Sequence, residues 1–264
     1  MLLGFYSQHQ GMVIIWEAKP LKMLSLFSGI GGLDLAAEWA GIETVMFCER
    51  DAACQSVLKK HWPNVPIVED VKDVHGFPVD LICGGYPCQP FSQAGRKGGH
   101  NDERHLWPEM YRIIRESNPS WVVAENVANH VTIGLDAVID DMERIGYACE
   151  AYLLPACAVA APHKRERIFI IAHSPGVARN DGSAPERGIC EAISEGTQQQ
   201  TGGFRGAIGK FLGGATWIPE PRVARVVDGV SGRVDRVRQL GNAVVPQQAF
   251  PIFRAIKEIS DRVL

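Results

Sequence analysis

At 264 residues, 46% hydrophobic and 22% charged, the chain can bury a sizeable core, and its composition is neither disordered nor fibrous. A formal net charge of −3 excludes a global pull toward polyanions, so any nucleic-acid contact must rest on local patches, felt over roughly 8–10 Å. Seven cysteines, an odd number with no Cys-x-x-Cys pair, argue against a disulfide framework or zinc ribbon and for a reducing cytosol, and no apolar run approaches the roughly 18 residues that cross a bilayer.

Residues 1–22 hold one short apolar stretch, Met12 to Trp16, and read as an N-terminal extension. Regular alternation then begins. The spacing predicts strands at Lys22–Phe27, Thr44–Glu49, Val79–Gly85, Trp121–Asn126, Tyr147–Leu154 and Ile168–Ala172. Helical patterns fall between them at Gly32–Ala40, Ala52–His61, Glu103–Ser117 and Leu135–Ile145. Apolar strands separated by single helices imply an α/β fold, a mostly parallel sheet with helices on both faces, whose ligands bind at the carboxyl ends of the strands. Residues 23–174 form this domain. From 175 to 238 the chain is glycine-rich with few apolar runs, a small loop-rich region. Its end is basic: Arg222, Arg225, Arg233, Arg236 and Arg238 stand against Asp228 and Asp235. Residues 239–264 return to the main domain, with a closing helix at Pro246–Val263 that carries proline at its first turn.

Six short motifs carry chemistry. Phe27-Ser28-Gly29-Ile30-Gly31-Gly32 sits between a strand and a helix, where glycines admit a ligand to the backbone. It is not the dinucleotide fingerprint, because Asp34 stands where the third glycine belongs. Glu49, ending the second strand, is placed to accept both hydroxyls of a ribose, while Asp51 reads as a helix N-cap. Asp70 is a candidate partner for an exocyclic amine. The third strand runs into Gly84-Gly85-Tyr86-Pro87-Cys88-Gln89-Pro90-Phe91-Ser92, in which two prolines stiffen the chain around a cysteine at the ligand-binding edge. A buried cysteine is usually a small apolar residue, but this frame favours a nucleophile. The segment 93–104, with Arg96, Lys97 and Arg104 among glycines, reads as a basic flap. Glu125 ends an apolar strand, where burial raises a carboxyl pKa toward useful acid chemistry. In His163-Lys164-Arg165-Glu166-Arg167 strand alternation places Arg165 and Arg167 on one face. Gly241-Asn242-Ala243-Val244 is a turn ahead of the closing helix.

Taken in order, these motifs resemble the cytosine carbon-5 DNA methyltransferase family, especially its short bacterial and phage-type members. The resemblance covers about Met23 to Ser174 and again Glu220 to Leu264, with His163 where the family often has glutamine. It implies a Rossmann-like S-adenosylmethionine-dependent methyltransferase fold in which 23–174 is catalytic and 175–238 recognises the target. It further implies that Phe27, Ser28, Gly29, Ile30, Gly31, Gly32, Glu49, Asp70, Asn242 and Val244 hold S-adenosylmethionine. Cys88 would be the nucleophile, Glu125 the acid that meets a flipped cytosine, and Arg165 and Arg167 their support. Pro87, Gln89, Ser92 and Arg96 would contact the substrate, and no metal takes part. The implied setting is duplex DNA in a bacterial or phage-infected cytoplasm, with a monomeric enzyme accompanied by a restriction endonuclease. Three other readings stand beside it: the same chemistry on transfer RNA, a catalytically silent DNA-binding regulator on this fold, and a dinucleotide-dependent oxidoreductase.

Overall fold

In a computed structural model of the chain, the described residues are 20–87, 106–175, 177 and 242–263. They form seven strands: β1 (Lys22–Leu26), β2 (Glu43–Cys48), β3 (Ile67–Val68), β4 (Leu81–Gly84), β5 (Trp121–Val127), β6 (Ala148–Pro155) and β7 (Glu166–His173). Six α-helices accompany them: α1 (Gly32–Trp39), α2 (Ala52–His61), α3 (Trp107–Ser117), α4 (His130–Ile133), α5 (Leu135–Arg144) and α6 (Pro246–Val263). The sheet order is β3-β2-β1-β4-β5-β7-β6. Strands β1 to β5 pair in parallel, and β7 enters antiparallel between β5 and β6.

The central strands are apolar on both faces because helices cover both. One core joins Leu24, Leu26, Ile82 and Val122 to Met110, Ile113 and Ile114 of α3 and to Val138 and Met142 of α5. The other joins Met23, Leu81, Trp121 and Val123 to Ala36 and Ala37 of α1 and to Phe253 and Ile256 of α6. Neighbours along one strand, such as Met23 and Leu24, therefore go to opposite cores, as the two-residue period requires.

All six expected strands form, and β7 alone departs from a plain parallel reading. The two-residue β3 has no periodicity to detect, and α4 is a single turn. Helix α3 starts at Trp107 and carries Pro108 in its first turn, where the missing N–H breaks no ladder, while residues 103–105 of the expected helix lie outside the described residues. The loop-rich region from 178 to 238, the extension before Pro20 and the basic flap lie outside the described residues. So do Cys88, Gln89, Ser92 and Arg96. Among the described residues no helix is long and apolar enough to cross a membrane.

Candidate active site

The turn leaving β1 is held by its own geometry. Phe27 and Gly29 adopt positive φ (53° and 56°), and the Ser28 amide donates to the Cys48 carbonyl (3.1 Å), tying the turn to the end of β2. Glu49, the next residue, accepts the Gly29 amide on Oε2 and the Asp51 amide on Oε1, both at 2.7 Å. Each carboxylate oxygen retains a further lone pair for a ligand hydroxyl. Asp51 caps α2, accepting from Ala53 and Cys54 amides as its position suggests. Asp70 caps the short 3-10 turn Val71–Asp73 through Oδ1, which receives the Lys72 amide at 3.0 Å.

The chain's final segment completes this wall. A Cβ on Gly32 would lie 2.6 Å from the Val244 carbonyl oxygen, so only glycine admits the returning segment at that distance. Gly31 serves the fold instead of the cleft. It is the N-cap of α1 and faces the Trp62 ring.

At the far end, Gly85, Tyr86 and Pro87 follow β4. The Asn126 amide donates to the Tyr86 carbonyl (3.1 Å), and the Tyr86 hydroxyl shares a 2.6 Å hydrogen bond with His130 Nε2. The backbone that leads into Cys88 is thus fixed from β5 and α4. Glu125 is 7% exposed and pairs with Arg167, Nε to Oε1 at 2.9 Å. Burial raises its pKa to about 7, against the opposing pull of Arg167 and Arg165. Arg165 donates from Nη2 to the Ala243 carbonyl, and burial, with the charge of Arg167, lowers its own pKa.

The two arginines meet for a different reason than strand alternation. Arg165 precedes β7 and has a φ of 25°, a left-handed conformation outside the strand. What brings the pair to the site is the reversed direction of β7, whose first residues lie beside the last residues of β5: Val127 pairs with Arg167.

One cleft of about 750 Å³, the size of a small-molecule site, joins the two ends. Phe27–Ile30, Gly32, Glu49 and Asp70 line one end, and Gly85–Pro87, Glu125 and Arg167 the other, with Asn242–Val244 also on the wall. Of the expected site residues that are described, Gly31 and Arg165 do not line it. Among the described residues no cluster of His, Cys, Asp or Glu is arranged for a metal ion.

Several residues of the site gave no sequence signal. His130 lies in a single helical turn with no pattern of its own and Gln248 in an ordinary helical pattern, and only the fold shows what they hold. Asp34 reads as a missing glycine, yet it is fully buried and accepts hydrogen bonds from Ser25 and Thr44, both at 3.1 Å. Burial raises its pKa to about 6.

The chain is 35% identical over 159 residues to the type II methyltransferase M.HhaI of Haemophilus parahaemolyticus, covering 57% of this chain and 48% of that protein. With M.AquIA of Picosynechococcus it shares 31% over 180 residues, 59% of this chain and 73% of the relative. With M.Eco47II of Escherichia coli it shares 37% over 170 residues, 60% and 40%. The chain spans about half the length of most such relatives. Among solved structures, a prophage-encoded E. coli protein superposes with a TM-score of 0.63 at 19% identity, over 91% of this chain and 99% of that one. A Spodoptera frugiperda DNMT2 mutant gives 0.60 at 16%, over 89% and 99%, and at such identities these two attest the fold alone. The family described as C-5 cytosine-specific DNA methylase matches residues 21–202, which span the strands, the turn after β1, Glu125 and both arginines, and the chain belongs to that family.

Proposed function

We propose that this chain methylates carbon 5 of cytosine in DNA, with S-adenosylmethionine as the methyl source. The observation that carries the reading is a single cleft with two chemically distinct ends. One offers the Glu49 and Asp70 carboxylates beside an open backbone turn, and the other a buried acid near neutrality paired with the Arg167 guanidinium. The first end fits a nucleoside with a cationic centre. Glu49 would hold the ribose hydroxyls, Asp70 Oδ2 the exocyclic amine, and Phe27–Gly32 with Asn242 and Val244 the walls. When bound, the sulfonium supplies an electrophilic methyl group.

The second end prepares the base. Cytosine hides its ring carbons inside a duplex, so it must be flipped out, at a cost of about a few kcal/mol. The Cys88 thiolate bonds to ring carbon 6 while Glu125 delivers its proton to nitrogen 3, which turns carbon 5 into a nucleophile. Carbon 5 accepts the methyl group, a base removes its proton, the bond between Cys88 Sγ and carbon 6 breaks to release the thiolate, and nitrogen 3 returns its proton to Glu125 as the ring is restored. With a pKa of about 7, Glu125 is protonated in a large fraction of molecules at neutral pH, as a proton donor must be. Arg167 orients the carboxyl and, with Arg165, supports the base. Pro87 stiffens the nucleophile's backbone, and Gln89, Ser92 and Arg96 meet the DNA. The type II methyltransferase names of bacterial relatives support DNA as the substrate, and the reading extends to a cytoplasmic monomer working beside a cognate endonuclease.

Trapping tests the reading. Duplex DNA containing 5-fluorocytosine, in a context found by bisulfite sequencing of DNA from expressing cells, should become covalently attached to residue 88. The Cys88→Ala variant should bind S-adenosylmethionine yet transfer no methyl group. An active preparation that forms no adduct, or an active Cys88→Ala variant, overturns the mechanism. Transfer RNA methylated in preference to DNA overturns the substrate.

A further inference from the structure

Arg165 holds its left-handed φ of 25° without being glycine, and such a conformation persists only where the surroundings over-determine it. Three contacts do so. The guanidinium donates to the Ala243 carbonyl, the Ala156 amide is shared between the Lys164 carbonyl at 2.6 Å and the Arg165 carbonyl at 3.3 Å, and Gln248 Nε2 donates to the Arg165 carbonyl at 3.0 Å. Gln248 Nε2 also donates to the Leu154 carbonyl at 2.7 Å, so a single side-chain amide bridges the end of β6 and the residue entering β7. Gln248 is fully buried, in the first turn of α6, followed by the core residues Ala249 and Phe250. Its Oε1 has no hydrogen-bond partner among the described residues. A buried amide with one unsatisfied atom is a poor choice for packing alone. The two carbonyls explain why an amide stands there.

We infer that Gln248 is a positioning residue for Arg165, through which α6 sets the guanidinium beside the Glu125–Arg167 pair. The inference rests on the proposed reaction for the role of Arg165, although the anchoring itself does not. The segment that supplies Ala243 and Gln248 to Arg165 also supplies Val244 to the turn after β1, so one element registers both ends of the cleft.

Gln248→Met keeps the volume and removes the donor, and Gln248→Leu serves as a second apolar replacement if the first does not fold. Hydrogen exchange of the full-length protein reads the anchor directly: amides between 156 and 167 should exchange faster in the variant. With tritiated S-adenosylmethionine and plasmid DNA from a host lacking cytosine methylation, kcat should fall about ten- to a hundredfold, as displaced catalytic groups do. Cofactor affinity should stay within about twofold. In an Arg165→Ala background the same substitution should lower kcat no further, because its effect passes through Arg165. A purely structural glutamine predicts factors that multiply in the double variant. Unchanged exchange, unchanged kcat or multiplying factors each overturn the inference. A wild type that transfers no methyl group to DNA defeats the proposed function, while the exchange measurement still decides whether Gln248 anchors Arg165.

Discussion

Replacing Glu125 with glutamine should remove a specific part of the protein's pH-dependent stability. Burial lifts this carboxyl from 4.5 to about 7, the net result after Arg167 and Arg165 have pulled the other way. The folded state therefore binds the proton more tightly than the unfolded chain. The stability this confers is fully present below pH 4.5 and is lost as pH rises through 7. At about 1.4 kcal/mol per pH unit the whole loss is about 3 kcal/mol, and about 2 kcal/mol of it falls between roughly pH 5.5 and 8.5. Glutamine imitates the neutral acid at every pH. Urea unfolding followed by circular dichroism at those two pH values should thus show a smaller drop in the variant than in the wild type, by about 2 kcal/mol. Asp34 titrates in the same range in both proteins and cancels in the comparison. Equal drops would mean that Glu125 is not the buried, proton-binding group described here, and its role as donor to nitrogen 3 would go with it. Turnover in the variant should fall more than DNA affinity, since glutamine has no transferable proton.

Asp34→Asn tests the second buried acid in the same way. Its carboxyl is raised from 3.8 to about 6, so the wild type loses about 3 kcal/mol as pH rises through 6. The variant should lose that dependence, and an unchanged titration between about pH 4 and 7 would refute it. Gly32→Ala forces a Cβ to within 2.6 Å of the Val244 carbonyl, which is backbone and gives way only by moving the returning segment. Cofactor affinity by calorimetry should weaken about tenfold or more, and an unaltered Kd would show that Val244 does not close that pocket. Tyr86→Phe removes the 2.6 Å hydrogen bond to His130 and should cost about 1 kcal/mol in urea unfolding, with a lower kcat from the loosened approach to Cys88. Full activity with the stability loss would confine that bond to the fold.

How much of this was legible in the sequence follows from what is local. The glycine turn, the Asp51 cap and the strands announce themselves because each depends on neighbours within a few residues. Glu125 was legible as a buried acid from the apolar run ahead of it, and its raised pKa follows from that burial. The arginine pair was legible as a pair for the wrong reason. Alternation does not extend to a residue that itself stands in the left-handed conformation, as Arg165 does, whereas an antiparallel β7 brings Arg167 to Glu125, and strand direction is not written in a hydrophobic pattern. Gln248 and His130 were silent because their partners lie 83 and 44 residues away. Asp34 was seen only as the absence of a glycine, since its two donors come from different strands.

The same separation explains why the last helix matters more than its place in the chain suggests. Phe250, Ile252, Phe253 and Ile256 of α6 are buried against α1 and the face of the sheet that carries Met23, Leu81 and Trp121. At about 1.5–3 kcal/mol per buried side chain, these four contribute on the order of 6–12 kcal/mol, comparable to the whole net stability of an ordinary domain at about 5–15 kcal/mol. The helix is therefore docked by its apolar face whether or not a ligand is present. Its first turn and the residues just before it carry Gln248, Val244 and Ala243 to Arg165 and Gly32 at no further cost in chain ordering. A site assembled this way is rigid at its back and depends on the core for its geometry. Substitutions at Phe253 or Ile256, far from any reacting atom, should then disturb Arg165 and the cofactor wall together, whereas substitutions in α3 or α5, which cover the opposite face, should lower stability without that joint effect.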